Sequence, residues 1–236
     1  MSDQAPAADL LPGRLEKGYR AFLEGRFPTE RQRFRSLAET GQKPRIMLIG
    51  CCDSRVSPET IFDASPGEIF VLRNVAALVP PYRPNDDYHS TSAALEFGVM
   101  GLRVEHIVVM GHEACGGVKA YAENEADPYA RPLSPGDFIG QWIKLIAPAA
   151  QALGAAPAEP DTAYVEKLGH ESVRQSLANL RTFPCIANLV ERGRLSIHGA
   201  YFGVADGKLL ALDEARGVFR AVAEDAWRAA FAEPRF

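Results

Sequence analysis

Two short segments hold the residues able to do chemistry. The first is Cys51-Cys52-Asp53-Ser54-Arg55 and the second is His112-Glu113-Ala114-Cys115-Gly116-Gly117. His112 and Cys115 are three apart, a spacing that brings both side chains to one point across a turn. With Cys51 they make two thiolates and one imidazole. For zinc that is three protein ligands and one open position, the pattern of catalytic sites and not of closed structural ones. In an extended segment residues 51, 53 and 55 share a side and 52 faces the other way. Cys51, Asp53 and Arg55 should therefore converge, while Cys52 turns into packing. Asp53 could occupy the fourth position or accept a hydrogen bond from a hydroxide held there. Arg55 could hold it in either role through a charge-assisted pair. Gly116 and Gly117 carry no side chains where the chain turns into a helix, which allows close backbone approach. Alone, a His-x-x-Cys pair or an Asp-Ser-Arg tripeptide is an ordinary turn. Their joint occurrence carries the reading.

These segments need elements that bring them together across about 60 residues of chain. Residues 45–51 and 104–111 are short apolar runs that read as fully buried strands. Residues 68–73 form a third such strand in the pattern. Both reactive segments begin where a strand ends, and ligand sites of open parallel sheets lie beyond those ends. Helical patterns cover 11–23, 28–38, 90–102, 136–153, 161–181 and 218–231, with a short helix after Ser57-Pro58. Gly25 separates the first two helices and Gly41 ends the second. Residues 119–135 are polar and broken by prolines, and read mostly as loop. Residues 194–212 read as a hairpin turning at Ala205-Asp206-Gly207. Buried strands alternating with helices indicate an α/β fold with a mainly parallel central sheet. No linker is evident, so 1–236 reads as one domain, with a helical arm over 1–40 and an α/β core with a C-terminal helix over 41–236.

Composition excludes several classes. The chain has 236 residues, 26 Lys and Arg, 30 Asp and Glu, and a net charge of −4. That mild acidity argues against a dedicated nucleic-acid binder. An apolar fraction of 47% with 24% charged residues is that of a globular chain with a sizeable core. Four cysteines, Cys51, Cys52, Cys115 and Cys185, are too few for a disulfide scaffold at this length. Cys185, like Cys52, reads as packing. Trp142 reads as core or interface packing. The first residues show no basic and apolar targeting pattern, and no run is long enough to span a membrane. The expected location is the cytoplasm, where thiols stay reduced.

At these residues the chain resembles a β-class carbonic anhydrase of the plant-like subgroup. The resemblance runs from Cys-x-Asp-Ser-Arg at 51–55 to His-x-x-Cys-Gly-Gly at 112–117. It extends through Pro66-Gly67-Glu68, Arg73-Asn74-Val75-Ala76, Leu78-Val79-Pro80-Pro81-Tyr82, the Ser-Leu-x-Asn-Leu pattern at 176–180 and Leu195-Ser196-Ile197-His198-Gly199. It implies one zinc ion per chain on Cys51, His112 and Cys115, with Asp53 and Arg55 as a dyad gating the fourth position. It implies reversible hydration of CO₂ to bicarbonate and a proton. It also implies a homodimer or multiple of dimers, with the N-terminal helices clasping the partner and the site in an apolar cleft at the interface. Gln42, Phe70 and Val75 match cleft positions of the plant-like members, and Phe97 falls where many carry Tyr. Leu48 and Phe202 stand where a regulatory bicarbonate pocket would need Trp and Tyr. Such a chain is expected to lack that pocket and to keep Asp53 paired with Arg55 near neutral pH. Asp86, Asp87 and His89 are candidates for the proton shuttle. Hydrolysis of CS₂ or COS on the same fold, a non-catalytic zinc-stabilised interaction protein, and a thiol redox role for Cys51 and Cys52 are the alternatives. Adjacent cysteines bridge poorly and no Cys-x-x-Cys is present.

Overall fold

Ile-Met-Leu-Ile-Gly-Cys is apolar on both faces, and Ile46–Cys51 accordingly forms a central strand, β1, with five of its six residues buried. The computed structural model describes residues 10–84, 89–127, 129–154 and 156–232. Residues 1–9, Asp86 and Asp87 lie outside the described residues. The chain divides into two compact units, Met1–Gln42 and Lys43–Phe236.

In the first unit, α1 (Gly13–Glu24) and α2 (Arg26–Thr40) meet at Gly25. Gly41 ends α2 with a φ of 78°, a left-handed value that favours glycine. Phe22, Phe27 and Phe34 cluster with ring centroids 5.5–6.0 Å apart. Leu10, Leu11, Leu15 and Tyr19 are left exposed.

The second unit is an α/β domain. After β1 come α3 (Pro58–Ile61), β2 (Ile69–Asn74), α4 (Ser90–Glu96) and β3 (His106–His112). Then follow α5 (Gly116–Ala126), α6 (Phe138–Ile143), α7 (Ala147–Leu153), α8 (Thr162–Leu180) and α9 (Pro184–Glu191). The chain closes with β4 (Ser196–Phe202), β5 (Leu209–Asp213), β6 (Val218–Ala221) and α10 (Glu224–Ala232). The sheet order is β2-β1-β3-β4-β5-β6. The first four strands are parallel and the last two pairings antiparallel. The sequence reading of a parallel sheet with an antiparallel edge thus describes this domain.

Three expectations are corrected. Residues 116–126 form α5 where a loop over 119–135 was expected. The prolines at 128, 132 and 135 all fall beyond the helix, and Ala120–Ala126 holds good helix formers. The tail expected as one helix over 218–231 begins with β6, because Val218–Ala221 completes the sheet edge against β5. Residues 184–191 form a helix that the sequence reading did not name. Pro184 opens it, and Ile186 is buried.

Helix α8 shows how sequence spacing becomes packing. Asp161 caps it by accepting from the Tyr164 N–H at 2.7 Å. Its buried face steps through Leu168, Ser172, Val173, Ser176, Leu177 and Leu180. Val173, Leu177 and Leu180 pack on Ile49, Ile107, Val109, Ile197 and Tyr201 of the sheet. The Ser-Leu-x-Asn-Leu pattern also has a polar task. Ser176 Oγ accepts from the Val79 N–H at 3.2 Å, and Asn179 Nδ2 donates to the Val79 carbonyl at 2.7 Å. A buried loop thereby keeps its backbone groups satisfied.

The close approach of α8 to the sheet depends on Gly111. A Cβ there would lie 2.8 Å from Val173 Cγ2 and 3.0 Å from Tyr201 Cδ2. Gly111→Ala should therefore overpack this contact and cost about 1–3 kcal/mol. The urea midpoint of the variant should fall while the slope stays constant.

Candidate metal centre

Parallel pairing brings the reactive segments together. The β1–β3 register pairs Gly50 with Met110, so both strands reach their carboxyl ends side by side. Cys51 is the last residue of β1, His112 the last of β3, and Cys115 the residue before the first turn of α5. All three are buried, at 5%, 1% and 4% exposure. Their ligand atoms lie within 4.8 Å of one another, the only such group among the described residues.

The geometry fits a tetrahedral metal with sulfur and nitrogen donors. Cys51 Sγ and Cys115 Sγ are 4.0 Å apart. Two thiolates at about 2.3 Å from zinc in tetrahedral array would stand about 3.8 Å apart. His112 Nδ1 lies 2.8 Å from the Glu113 carbonyl, an acceptor only, so Nδ1 carries the proton. That leaves the Nε2 lone pair free, and Nε2 is buried with no hydrogen-bond partner. An orphaned buried imidazole nitrogen beside two thiols is what a missing cation would leave.

Cys51 Sγ and Cys115 Sγ are within hydrogen-bonding reach of each other, and either can donate. The bond from Cys115 holds the Cys51 thiol far below its usual range, helped by the N–H groups of Asp53 and Ala76. Cys115 goes the other way, raised by its bond to Cys51 and then by burial. The N–H of Asp53 lies 3.4 Å and that of Ala76 3.3 Å from Cys51 Sγ.

Asp53 and Arg55 form a fork. Arg55 Nε donates to Asp53 Oδ1 at 2.9 Å, and its terminal nitrogen donates to Oδ2 at 2.7 Å. The Arg55 N–H adds a third bond to Oδ1 at 3.0 Å, and the guanidinium also reaches the Ala114 carbonyl at 3.0 Å. Asp53 Oδ2 lies 4.0 Å from His112 Nε2, beside the ligand cluster. These bonds, the Arg55 side chain first, hold the Asp53 carboxyl well below the usual carboxylate range.

The residues missed by sequence reasoning are those that hold the loops. Arg73, on β2, donates to the Cys51 carbonyl at 2.7 Å and the Asp53 carbonyl at 2.6 Å. An arginine within an apolar strand was the available signal. Asn74 ties the next turn, accepting from the Leu78 N–H at 2.9 Å and donating to the Leu78 carbonyl at 2.8 Å. Inside it Ala76 and Ala77 have φ of 64° and 54°, a left-handed conformation costing on the order of 1–3 kcal/mol per alanine. Gly117 allows α5 to approach: a Cβ there would lie 2.8 Å from Val75 Cγ1. For Gly116, a Cβ would meet nothing within 4 Å.

Other sequence-selected residues lie elsewhere. Cys52 is exposed, contrary to the packing expected for it, because the loop after β1 turns outward. Cys185 is partly buried against the main core. Phe70 pairs with Met47 in the sheet register and meets the Phe97 ring at a tilt of 54°, with centroids 5.8 Å apart. That is four residues back from the Cys51 end of the strand, about 13 Å. Within one chain Phe70 and Phe97 therefore stand apart from the ligands, and Phe97 is 54% exposed. Gln42 is the last residue of the N-terminal unit. Leu48 and Phe202 pack into one small apolar cluster with Met110 and Ala200.

Residues 46–209 match the family model described as carbonic anhydrase. The chain belongs to the carbonic anhydrase family. It is 38% identical over 208 residues to a carbonic anhydrase of Pseudomonas aeruginosa, covering 88% of this chain and 90% of that one. Among solved structures it resembles the β-carbonic anhydrase CcaA, with a TM-score of 0.80, 31% identity, and 89% and 91% of the two chains covered. It also resembles tetrameric β-carbonic anhydrases of Sordaria macrospora, with a TM-score of 0.72, 26% identity, and 89% and 98% covered. Within the family the chain is of the β class, and the Cys51, His112 and Cys115 cluster is its candidate metal site.

The Asp53–Arg55 fork has a readable acid signature. A carboxyl whose folded pKa is depressed stabilises the fold above its unfolded pKa of about 4, and that contribution is lost as pH falls toward the folded value. In an NMR titration the Asp53 carboxyl of the wild type should stay ionised well below pH of about 4. In Arg55→Ala it should titrate back up toward that value.

Proposed function

We propose that this chain catalyses the reversible hydration of CO₂ to bicarbonate and a proton, with one zinc ion held by Cys51, His112 and Cys115. The observation that carries the reading is the buried, unpartnered His112 Nε2 set within 4.8 Å of two thiol sulfurs. Three donors leave a fourth position for a reactant, which is how catalytic zinc differs from structural zinc. Zinc bound there supplies Lewis acidity that makes a water acidic near neutral pH.

The chain's own residues do the rest. Arg55 holds Asp53 by two side-chain bonds, so the carboxylate is fixed and ionised. Its Oδ2, beside His112, accepts a hydrogen bond from the reacting water and so turns the oxygen lone pair toward CO₂. The Arg55 guanidinium keeps Asp53 from swinging to the ligands, which favours an accessible site near neutral pH. The Glu113 carbonyl fixes the His112 tautomer. Leu48 and Phe202 in place of Trp and Tyr support the reading that no regulatory bicarbonate pocket exists.

Phe70 and Phe97 can serve the cleft only from a second copy of the chain, because one chain keeps them away from its own ligands. Val75, against Gly117, lines the near wall. We therefore read the working form as a homodimer or multiple of dimers. The likeness to tetrameric relatives supports this. No described helix is long and apolar enough to cross a membrane, and the thiolate ligands suit a reducing cytoplasm.

Cys115→Ser should lose both bound zinc and CO₂ hydration, read by metal analysis and stopped-flow hydration. A zinc-free Cys115→Ser protein with wild-type turnover would sink the proposal.

A further inference from the structure

Trp142 lies on α6, in a different part of the chain from the ligands, yet its indole N–H is spent on one particular carbonyl. Nε1 donates to Val75 O at 2.8 Å. Val75 opens the left-handed turn of Ala76 and Ala77, and the Ala76 N–H from that turn lies 3.3 Å from Cys51 Sγ. Two consecutive alanines do not hold positive φ by preference. The turn must be held from outside, and two devices do so. Asn74 closes it at one end through both Leu78 backbone groups. Trp142 holds it at the other. Gly117 lets α5 press on Val75 from the side of Cys115.

A backbone N–H aimed at a thiolate draws charge from the sulfur, which then gives less to a bound cation. Of the two such donors on Cys51, the Asp53 N–H follows from the local loop. The Ala76 donor exists only because the strained turn is held. We propose that Trp142 is a positioning residue for the metal centre: its bond to Val75 keeps the Ala76 N–H on Cys51 and so sets how strongly that thiolate donates. The inference rests on the reading of Cys51, His112 and Cys115 as metal ligands. It goes beyond that reading in assigning a role to a side chain that touches neither metal nor substrate.

A packing role for Trp142 makes a different prediction. The ring lies against the cluster containing Val118, Tyr121, Ile143 and Ile146, and Phe would keep most of that contact. The test is the cobalt(II)-substituted enzyme, whose thiolate-to-cobalt absorption reports sulfur donation directly. In W142F the Ala76 N–H should leave Cys51. The sulfur lone pairs then rise in energy and the charge-transfer band moves to longer wavelength. Replacing Trp142 by benzothienylalanine, which keeps the ring and lacks the N–H, should give the same shift without a change of volume. A band at the wild-type position in that isostere overturns the proposal, whether or not W142F folds. A wild-type protein that takes up no cobalt overturns the metal reading as well, so the two failures are distinguishable.

Discussion

The carboxyl end of β1 is where separately built parts of the chain must agree. One sulfur, Cys51 Sγ, faces a second sulfur at 4.0 Å and two backbone N–H groups at 3.3 and 3.4 Å. These contacts come from β1 itself, from the turn after β2 and from the start of α5. A buried thiolate is costly unless its charge is shared. The neighbourhood of Cys51 is therefore built of donors, and small errors in any supporting element would leave a charge unpaired.

That demand explains features which look wasteful one at a time. Ala76 and Ala77 sit in a conformation that alanine disfavours. Arg73, in the half-buried strand β2, holds the Cys51 and Asp53 carbonyls. Asn74 spends both ends of its amide on one residue. Each device fixes backbone instead of touching the reactants. Together they make the ligand geometry a property of the sheet and its loops, so the site exists before a cation arrives. Preorganisation of this kind lowers the ordering cost of binding.

Much of this was legible beforehand. Three of the four parallel strands, β1, β2 and β3, are legible as apolar runs, and β4 reads as an arm of a hairpin. The ligand triad showed because Cys and His at strand ends have few other uses in a chain with four cysteines. The Ser-Leu-x-Asn-Leu pattern was visible as a resemblance, although its physical task, satisfying Val79, was not. Helix α5 reads as loop because the prolines just beyond it mask the helix preference of its own alanines. Strand β6 is hidden in the sequence because four residues of alternating burial look like a helix start until β5 lies alongside. Cys52 escapes the alternation rule because β1 ends at Cys51, one residue before it.

By itself, then, the sequence determined which atoms could bind a metal, which strands would be buried and the pairing of a carboxylate with an arginine two residues on. These are local facts of residue type, short spacing and hydrophobic period. The tertiary structure decided the rest: that Trp142 reaches Val75 across 67 residues, that Arg73 holds carbonyls at the end of β1 and in the loop after it, and that Phe70 and Phe97 face each other away from their own ligands. Those outcomes depend on which strands pair and in what register, and on how closely glycines let helices approach. Such long-range geometry is not encoded in any one stretch of chain, because the same residues in another register would face other neighbours.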